Sequence, residues 1–424
     1  LANDLKYSGI EEGIFEASDP LSAVKDMLSL FKPVHVDGLP RFYGGFVGYI
    51  GYDVVKAFER IPDMPKESVD MPDVFLMLAD TILIFDNLKQ TIKIVTNVHT
   101  EEKNLTEAYR EAEERISDIV SDLKKTESRS VEFRGVDSNL QNSYIMPESF
   151  ISNFKKEDFL NAVSKTKEYI KAGDIFQLVL SQRFGIKSDA NPIDIYRALR
   201  MINPSPYMYY LDTGDAQLVG SSPEILVRLE DGEINLRPIA GTRRRGNTEA
   251  EDLTLENELK KDPKEIAEHI MLVDLGRNDV GKVAEAGMVK VTELMSVERY
   301  SHVMHIVSNV EGNLKKGLDA FDVFRSCFPA GTVSGAPKIR AMEIIEELEP
   351  TKRGPYAGSV GYFSYSGNMD TCITIRTLLV KDGMVYVQAG AGIVADSMPE
   401  NEYIETVNKA MAMMKAVEVA KTMQ

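Results

Sequence analysis

The chain has 424 residues, 43% hydrophobic and 27% charged, which suits a soluble globular protein with room for two or three domains. Its formal net charge of −17 argues against nucleic acid or an anionic membrane surface as the main partner, because both repel it at long range. Cys327 and Cys372 are too few for a disulfide framework, no charged-then-apolar leader opens the chain and no apolar run is long enough to span a bilayer, so a reduced, cytoplasmic protein is expected.

In chain order, Gly44, Gly45, Gly48 and Gly51 punctuate the apolar segment GGFVGYIG. It has the look of a dinucleotide-binding glycine fingerprint, but no βαβ unit with an acidic residue about 20 positions on follows it. Two β-rich runs come next, 75–85 and 91–98, with Asp86-Asn87 as the turn of a hairpin. The window 74–85 is interrupted by Asp80 and reads as core. From 100 to 125 apolar side chains recur at Leu105, Ala108, Ala112, Ile116, Ile119 and Leu123, the stripe of an amphipathic helix. Residues 127–143 are polar and poor in large apolar groups, so they are expected to link an amino-terminal domain, 1–126, to a second domain, 144–424.

Beyond the linker, helices are expected over 156–171, 192–201, 339–348 and 400–422, and a strand over 176–184. Asp231-Gly232 and Asp382-Gly383 sit at the centres of two hairpins, 226–237 and 374–388. Antiparallel hairpins interleaved with helices define an α+β class.

The segment FPAGTVSGAPK, 328–338, is built like a ligand-holding turn. Gly331 and Gly335 permit close backbone approach, Thr332 and Ser334 offer hydroxyls, and Lys338 offers a cation for a carboxylate or phosphate. It is not a phosphate loop, because Ala336 and Pro337 separate Gly335 from Lys338. Two Glu-x-x-Glu pairs, Glu265 with Glu268 and Glu402 with Glu405, each place two carboxylates on one helix face, where a hard cation such as Mg²⁺ could bind. With 66 acidic residues such pairs also recur by chance, as in Glu343 with Glu346. His302 and His305 lack an HExxH pattern, which leaves an acid or base role in place of zinc. Glu224, in SSPE, stands at the mouth of a strand, where burial would keep its carboxyl protonated. RPIAGTRRRG, 237–246, and Arg376, read as part of a strand over 373–379, are candidate anion contacts.

Taken in order, IFQLVLSQRF, NPSPYMYY, GSSPEILVR, RPIAGTRRRG, EHIMLVDLGRND, YSHVMHIVS, FPAGTVSGAPK, GPYAGSVGY, TIRT, AGAGIVADS and EYIETVNKA resemble the chorismate-utilising enzymes, most closely the anthranilate synthase component I branch. The match covers about 150–424, and GGFVGYIGYD is similar to the family's amino-terminal domain. The resemblance implies two packed antiparallel β-sheets flanked by helices, with a chorismate pocket in the carboxy-terminal domain. It implies that Glu268 and Glu405 bind Mg²⁺ directly, that Glu265 and Glu402 complete the site through water, and that the metal grips the ring carboxylate. Tyr356, Arg376 and the amides around Gly390, Ala391 and Gly392 then hold the enolpyruvyl carboxylate. Glu224 is the implied general acid for the C4 hydroxyl, His305 belongs to pyruvate elimination, and Thr332 lies at the pocket's base.

The resemblance also separates siblings. Gln177 stands where water-adding relatives carry a lysine, and Ala240 where aminodeoxychorismate synthases carry a nucleophilic lysine, so direct attack by ammonia at C2 is implied, with anthranilate as product. Ammonia is expected from a separate glutamine amidotransferase subunit, since no amidotransferase motif occurs in this chain. L-Tryptophan feedback in the family combines an LLES element with NPSPYM; here only Asn203, Pro204, Ser205, Tyr207 and Met208 of the second element are found, so the first domain is expected to be incomplete or rearranged. Two alternatives stay open: an aminodeoxyisochorismate synthase that stops before pyruvate loss, and a silent scaffold for an amidotransferase.

Overall fold

The computed structural model describes residues 19–34, 36–100, 104–125, 150–300 and 303–423. The expected linker 127–143 and His302 lie outside them. The helices are α1 Pro20–Ser29, α2 Leu105–Lys125, α3 Lys156–Ala172, α4 Pro192–Ile202, α5 Glu249–Lys261, α6 Pro263–Gly281, α7 Ala320–Cys327, α8 Lys338–Leu348 and α9 Pro399–Ala420. The strands of the first half are β1 Gly45–Ile50, β2 Val74–Ala79, β3 Thr81–Asp86, β4 Thr91–Thr96, β5 Ile151–Ser152, β6 Gln177–Lys187, β7 Tyr207–Asp212, β8 Ala216–Ser222 and β9 Ile225–Glu230. Those of the second half are β10 Glu233–Leu236, β11 Ile239–Arg244, β12 Lys290–Arg299, β13 Val303–Asn313, β14 Gly335–Ala336, β15 Ser359–Ser364, β16 Met369–Ile373, β17 Thr377–Lys381 and β18 Met384–Ile393.

They build two large sheets and a small hairpin. The nine-stranded sheet runs β11-β13-β10-β9-β16-β15-β1-β2, with β12 on β13, and the seven-stranded sheet runs β14-β6-β18-β17-β8-β7, with β5 on β6. Within both sheets the neighbouring strands pair antiparallel, so the α+β architecture of two packed antiparallel sheets is as expected. Tyr49, Leu211, Leu218, Val360, Cys372 and Leu379 form one buried cluster that joins the two sheets. Cys327 and Cys372 are buried free thiols. Among the described residues no helix is long and apolar enough to cross a membrane.

The run expected as one strand over 75–85 is two strands. Asp80 divides it: its carbonyl accepts from Asn97 N at 2.8 Å and Asn97 Nδ2 at 3.0 Å, which turns β3 away from β2 into a hairpin with β4. β1 and β2 meanwhile join the nine-stranded sheet beside β15, so residues on both sides of the 127–143 segment share one sheet. Gly45, at φ +135°, allows that pairing, because a Cβ there would lie 2.2 Å from the Phe363 carbonyl oxygen.

On the outer face of the nine-stranded sheet, α7 starts in a capping box between Asp319 and Asp322 and presents Phe321 and Phe324 to Phe363. Phe321 and Phe363 stack with centroids 4.6 Å apart and planes 1° from parallel. Phe363 is 1% exposed, so Phe363→Ala is expected to cost about 3–5 kcal/mol, read as a lower urea midpoint at unchanged m-value. The seven-stranded sheet is covered by α9, which also packs on α3 and α4. α6 lies against β11 and β13 of the other sheet.

Candidate active site

The chain passes directly from one large sheet to the other at two places, and each carries a functional candidate. β8 ends at Ser222 and β9 begins at Ile225, with Glu224 between; β16 ends at Ile373 and β17 begins at Thr377, with Arg376 between. The crossings are bonded together. Ile373 N donates to Glu224 O at 3.0 Å, Ser221 N to Arg376 O at 3.0 Å, and Ser222 Oγ to Ile373 O at 2.7 Å. Arg376 therefore does not lie in a strand over 373–379 as expected. Its left-handed backbone, φ +52°, lies at the break where the chain leaves β16 in one sheet and enters β17 in the other.

Glu224 is 8% exposed, and burial pushes its carboxyl up to about 8. The neighbouring Thr332 hydroxyl opposes that shift with poor geometry, since Thr332 Oγ1 is buried without a well-formed hydrogen bond. Both line a cavity of about 30 Å³ with Leu272, Gly276 and Asp279, enough for a water molecule. Arg376 also lines an open groove of about 450 Å³ with Asn401, Ile404, Glu405, Asn408 and Lys409.

The glycines of β18 bring the next candidates together. A Cβ added at Gly390 would lie 2.7 Å from Tyr356 Oη, and one at Gly392 2.6 Å from Gln177 Nε2 and 3.9 Å from Glu268 Oε1. Ala391 faces the opposite side of the strand, in the core with Phe159 and Leu180, so only its backbone is available to the pocket. Burial raises the Tyr356 phenol to about 12, and the charges of Arg353 and Arg376 oppose that rise. Tyr356, Gly390, Gly392, Gln177 and Glu268 thus form one continuous surface.

Asp262 caps α6 and Pro263 occupies its first turn, which fixes the start of the helix that carries Glu265 and Glu268. Glu268 Oε1 accepts from Gln177 Nε2 at 2.9 Å. Burial raises the Glu268 carboxyl first of all, Gln177 opposes, and the charges of Glu265 and Glu405 raise it further. Glu402 is raised by burial, against a hydrogen bond from Ser397, and by the charge of Glu405. Glu265 is paired with Arg243 at 2.9 Å and Glu405 with Lys409 at 2.6 Å. Among the described residues no group of three or more His, Cys, Asp or Glu side chains stands together so as to hold a metal ion. The donors are nevertheless all carboxylate oxygens, the set a hard divalent cation takes. Mg²⁺ in particular is commonly held by one or two carboxylates plus water and substrate, without a full protein cage.

His305 lies on β13, half-buried. Its Nδ1 is 3.1 Å from Gly241 O and 3.0 Å from Thr242 Oγ1. A carbonyl only accepts, so Nδ1 carries the hydrogen and Nε2 keeps a free lone pair. Burial lowers the imidazole below its ordinary range, the Gly241 bond opposes, and the nearby Arg376 charge lowers it further.

Two expectations are corrected. Lys338 is not a free cation for a ligand: its ammonium donates to Asp279 Oδ2 at 2.6 Å and Cys327 O at 3.1 Å, which ties the start of α8 to α6 and α7. The arginines of 237–246 are likewise occupied, Arg237 by Glu293 and Glu298, Arg243 by Asp262 and Glu265, Arg244 by Glu251 and Arg245 by Asp252. The acidic α5 and β12 beside this segment absorb its charge. Asn203, Pro204, Ser205, Tyr207 and Met208 run from the end of α4 into β7, the edge strand of the smaller sheet. Tyr207 Oη donates to Asp370 Oδ1 at 2.8 Å, and Met208 packs on the α9 core. Sequence reasoning missed Lys409, which donates to Gly390 O at 2.8 Å; its place four residues after Glu405 on one helix face was the available signal.

A family model described as chorismate binding enzyme matches residues 4–415, and the chain belongs to that family. The chain is 53% identical over 418 residues to anthranilate synthase component 1 of Aquifex aeolicus, covering 99% of this chain and 83% of that protein. Against the same component of Acetivibrio thermocellus the identity is 52% over 402 residues, covering 95% and 81%. The crystal structure of anthranilate synthase component I from Streptococcus pneumoniae superposes with a TM-score of 0.82 at 40% identity, covering 93% of this chain and 85% of that one. The expected family and its enzymatic class are borne out.

Proposed function

We propose that the chain is the large subunit of an anthranilate synthase: it adds ammonia to C2 of chorismate, expels the C4 hydroxyl and eliminates pyruvate to leave anthranilate, a precursor in tryptophan biosynthesis. The likeness to anthranilate synthase component 1, above 50% identity across nearly the whole chain, carries this reading. The site's chemistry supports it. Attack at C2 moves the two ring double bonds along and releases the C4 oxygen, which must leave as water and needs a proton. Glu224 supplies that proton because burial keeps it protonated at neutral pH. In the second step the C2–H bond breaks, its electron pair forms the last ring double bond and the C3–O bond opens. Nε2 of neutral His305 receives the proton.

Glu268 and Glu405, with Glu265 and Glu402 behind them, would hold Mg²⁺, which when bound neutralises the ring carboxylate of chorismate. Tyr356, Arg376 and the β18 backbone at 390–392 receive the second carboxylate. Gln177 brings an uncharged amide to the C2 side, so ammonia in place of activated water is the nucleophile. The nitrogen source is a separate glutamine amidotransferase subunit, and the chain works in the cytoplasm.

The test is to incubate the purified chain with chorismate, Mg²⁺ and an ammonium salt at alkaline pH and to identify products by mass spectrometry. Anthranilate with equimolar pyruvate is expected. An amino-enolpyruvyl product without pyruvate would replace this reading with the aminodeoxyisochorismate one, and unconsumed chorismate would overturn both. His305→Ala is expected to slow elimination at least about tenfold more than amination, so that the amino-enolpyruvyl intermediate accumulates in single-turnover quenching. Equal loss in both steps would remove His305 from the elimination.

A further inference from the structure

Arg353 is 3% exposed, and its guanidinium is bonded on nearly every side. Nε and Nη2 donate to the two oxygens of Glu349 at 2.9 and 2.7 Å, Nη1 donates to Val333 O at 2.7 Å, and Nη2 also donates to Val179 O at 2.8 Å. Glu349 in turn accepts from Ser181 N at 2.8 Å and Ser181 Oγ at 2.7 Å, and Ser181 Oγ accepts from Gln388 Nε2 at 2.8 Å. The guanidinium carbon lies over two aromatic rings, 4.6 Å from the centroid of Tyr52 and 5.6 Å from that of Tyr356. This network touches β6 two residues beyond Gln177, the turn one residue beyond Thr332, β18 two residues before Gly390, and the ring of Tyr356 itself.

The Tyr52 contact reaches the site from the far side of the 127–143 segment. Tyr52 follows β1, its N donates to Gly354 O at 2.8 Å, and Gly354 N donates to Asp53 Oδ2 at 2.9 Å. The Tyr52 hydroxyl is buried with no hydrogen-bond partner. A buried phenol that forgoes its hydrogen bond is retained for its ring, and the ring here lies against a cation.

We propose that Arg353 is a positioning residue: held by Glu349 and by the Tyr52 ring, it fixes Tyr356 against Gly390, so that the segment around residue 52 sets the affinity of the pocket for the carboxylate Tyr356 receives. The identity of that ligand rests on the function proposed above; the clamp itself does not. A guanidinium bonded through Nε, Nη1 and Nη2 and flanked by two rings is held in place, and the Tyr356 ring beside it is held near the β18 backbone. Neither Arg353 nor Tyr52 needs to touch the substrate. Their effect is on binding, which places it in KM and not in kcat.

Tyr52→Leu is the informative substitution, because it keeps the volume apolar and leaves the Arg353–Glu349 pair intact. With ammonia as nitrogen source it is expected to raise KM for chorismate about threefold to thirtyfold, the range of a desolvated cation–π contact, with kcat changed less than about twofold. Tyr52→Phe, which restores the ring and omits only the unbonded hydroxyl, is expected to return KM to the wild-type value. A lower Tm with unchanged KM in Tyr52→Leu would overturn the proposal by making the contact purely structural. So would an equal rise in KM for Tyr52→Phe. The near-ultraviolet circular dichroism of this tryptophan-free chain gives a readout that needs no turnover. The Tyr356 contribution, wild type minus Tyr356→Phe, is expected to shrink in the Tyr52→Leu background, and an undiminished contribution would overturn the clamp even if chorismate proves not to be the substrate.

Discussion

Glu268→Gln is expected to lower kcat/KM for chorismate by about 10³-fold or more, the scale of losing a principal electrostatic element in a closed site. The substitution keeps the shape and can still meet Gln177, now amide to amide across the present 2.9 Å contact. What it removes is one of the two carboxylates assigned to Mg²⁺, at the position where burial together with Glu265 and Glu405 already makes a negative charge costly without a cation. Isothermal titration with Mg²⁺ and chorismate, followed by steady-state kinetics, checks this. Turnover within tenfold of wild type at saturating Mg²⁺ would remove Glu268 from the metal site. The variant is also expected to be no less stable than wild type without metal, since a like-charge contact with Glu265 and Glu405 is relieved.

Glu224→Gln is expected to lower kcat about 10²- to 10⁴-fold, the usual contribution of a positioned general acid. The wild-type acid must be protonated, so once rates are expressed per free ammonia, activity should hold below pH about 8 and fall above it. The Gln variant should lose that alkaline limb together with the rate. A limb that persists in Glu224→Gln would assign it to another group. The same shift bears on folding. The carboxyl titrates near 4.5 when exposed and about 8 in the folded chain, so the unfolded chain releases the proton first. The stability tied to this group is complete below about 4.5 and is lost as pH rises towards 8. Glu224→Gln should therefore unfold at a higher temperature than wild type at pH 8 while matching it more closely at pH 5.

How far the candidate site could be read from the sequence differs by residue, and the reasons are physical. Glu224, His305 and Thr332 took their roles from the likeness of their motifs to the family, and Glu265 with Glu268, a spacing that alone also recurs by chance, lies on a helix whose start Asp262 and Pro263 fix. The hairpins at Asp86-Asn87, Asp231-Gly232 and Asp382-Gly383 followed from local turn chemistry. Lys338 and the arginines of 237–246 were misread because a charge looks free until its partner is placed: Asp279 reaches Lys338 from 59 positions away, while Glu251 and Asp252, only seven positions from Arg244 and Arg245, meet them through the turn into α5. The same holds for Arg353. Its partners Tyr52 and Val179 are brought to it only by the tertiary fold, so no local pattern marks it. The break at Asp80 depends on Asn97, and nothing in the apolar pattern of 74–85 announces that bond.

The paired crossings at Glu224 and Arg376 have a mechanical consequence. The proposed proton donor and the proposed anion-holding cation are not mounted on separate elements; Ile373 N to Glu224 O and Ser221 N to Arg376 O make the two crossings a single buckle between the sheets. Because each crossing is bonded to the other through the backbone, the spacing between Glu224 and Arg376 is fixed by the crossings themselves and not by the packing of the helices around them. Acid and arginine thus behave as one rigid unit of the pocket, and a change that loosens either crossing is felt at both.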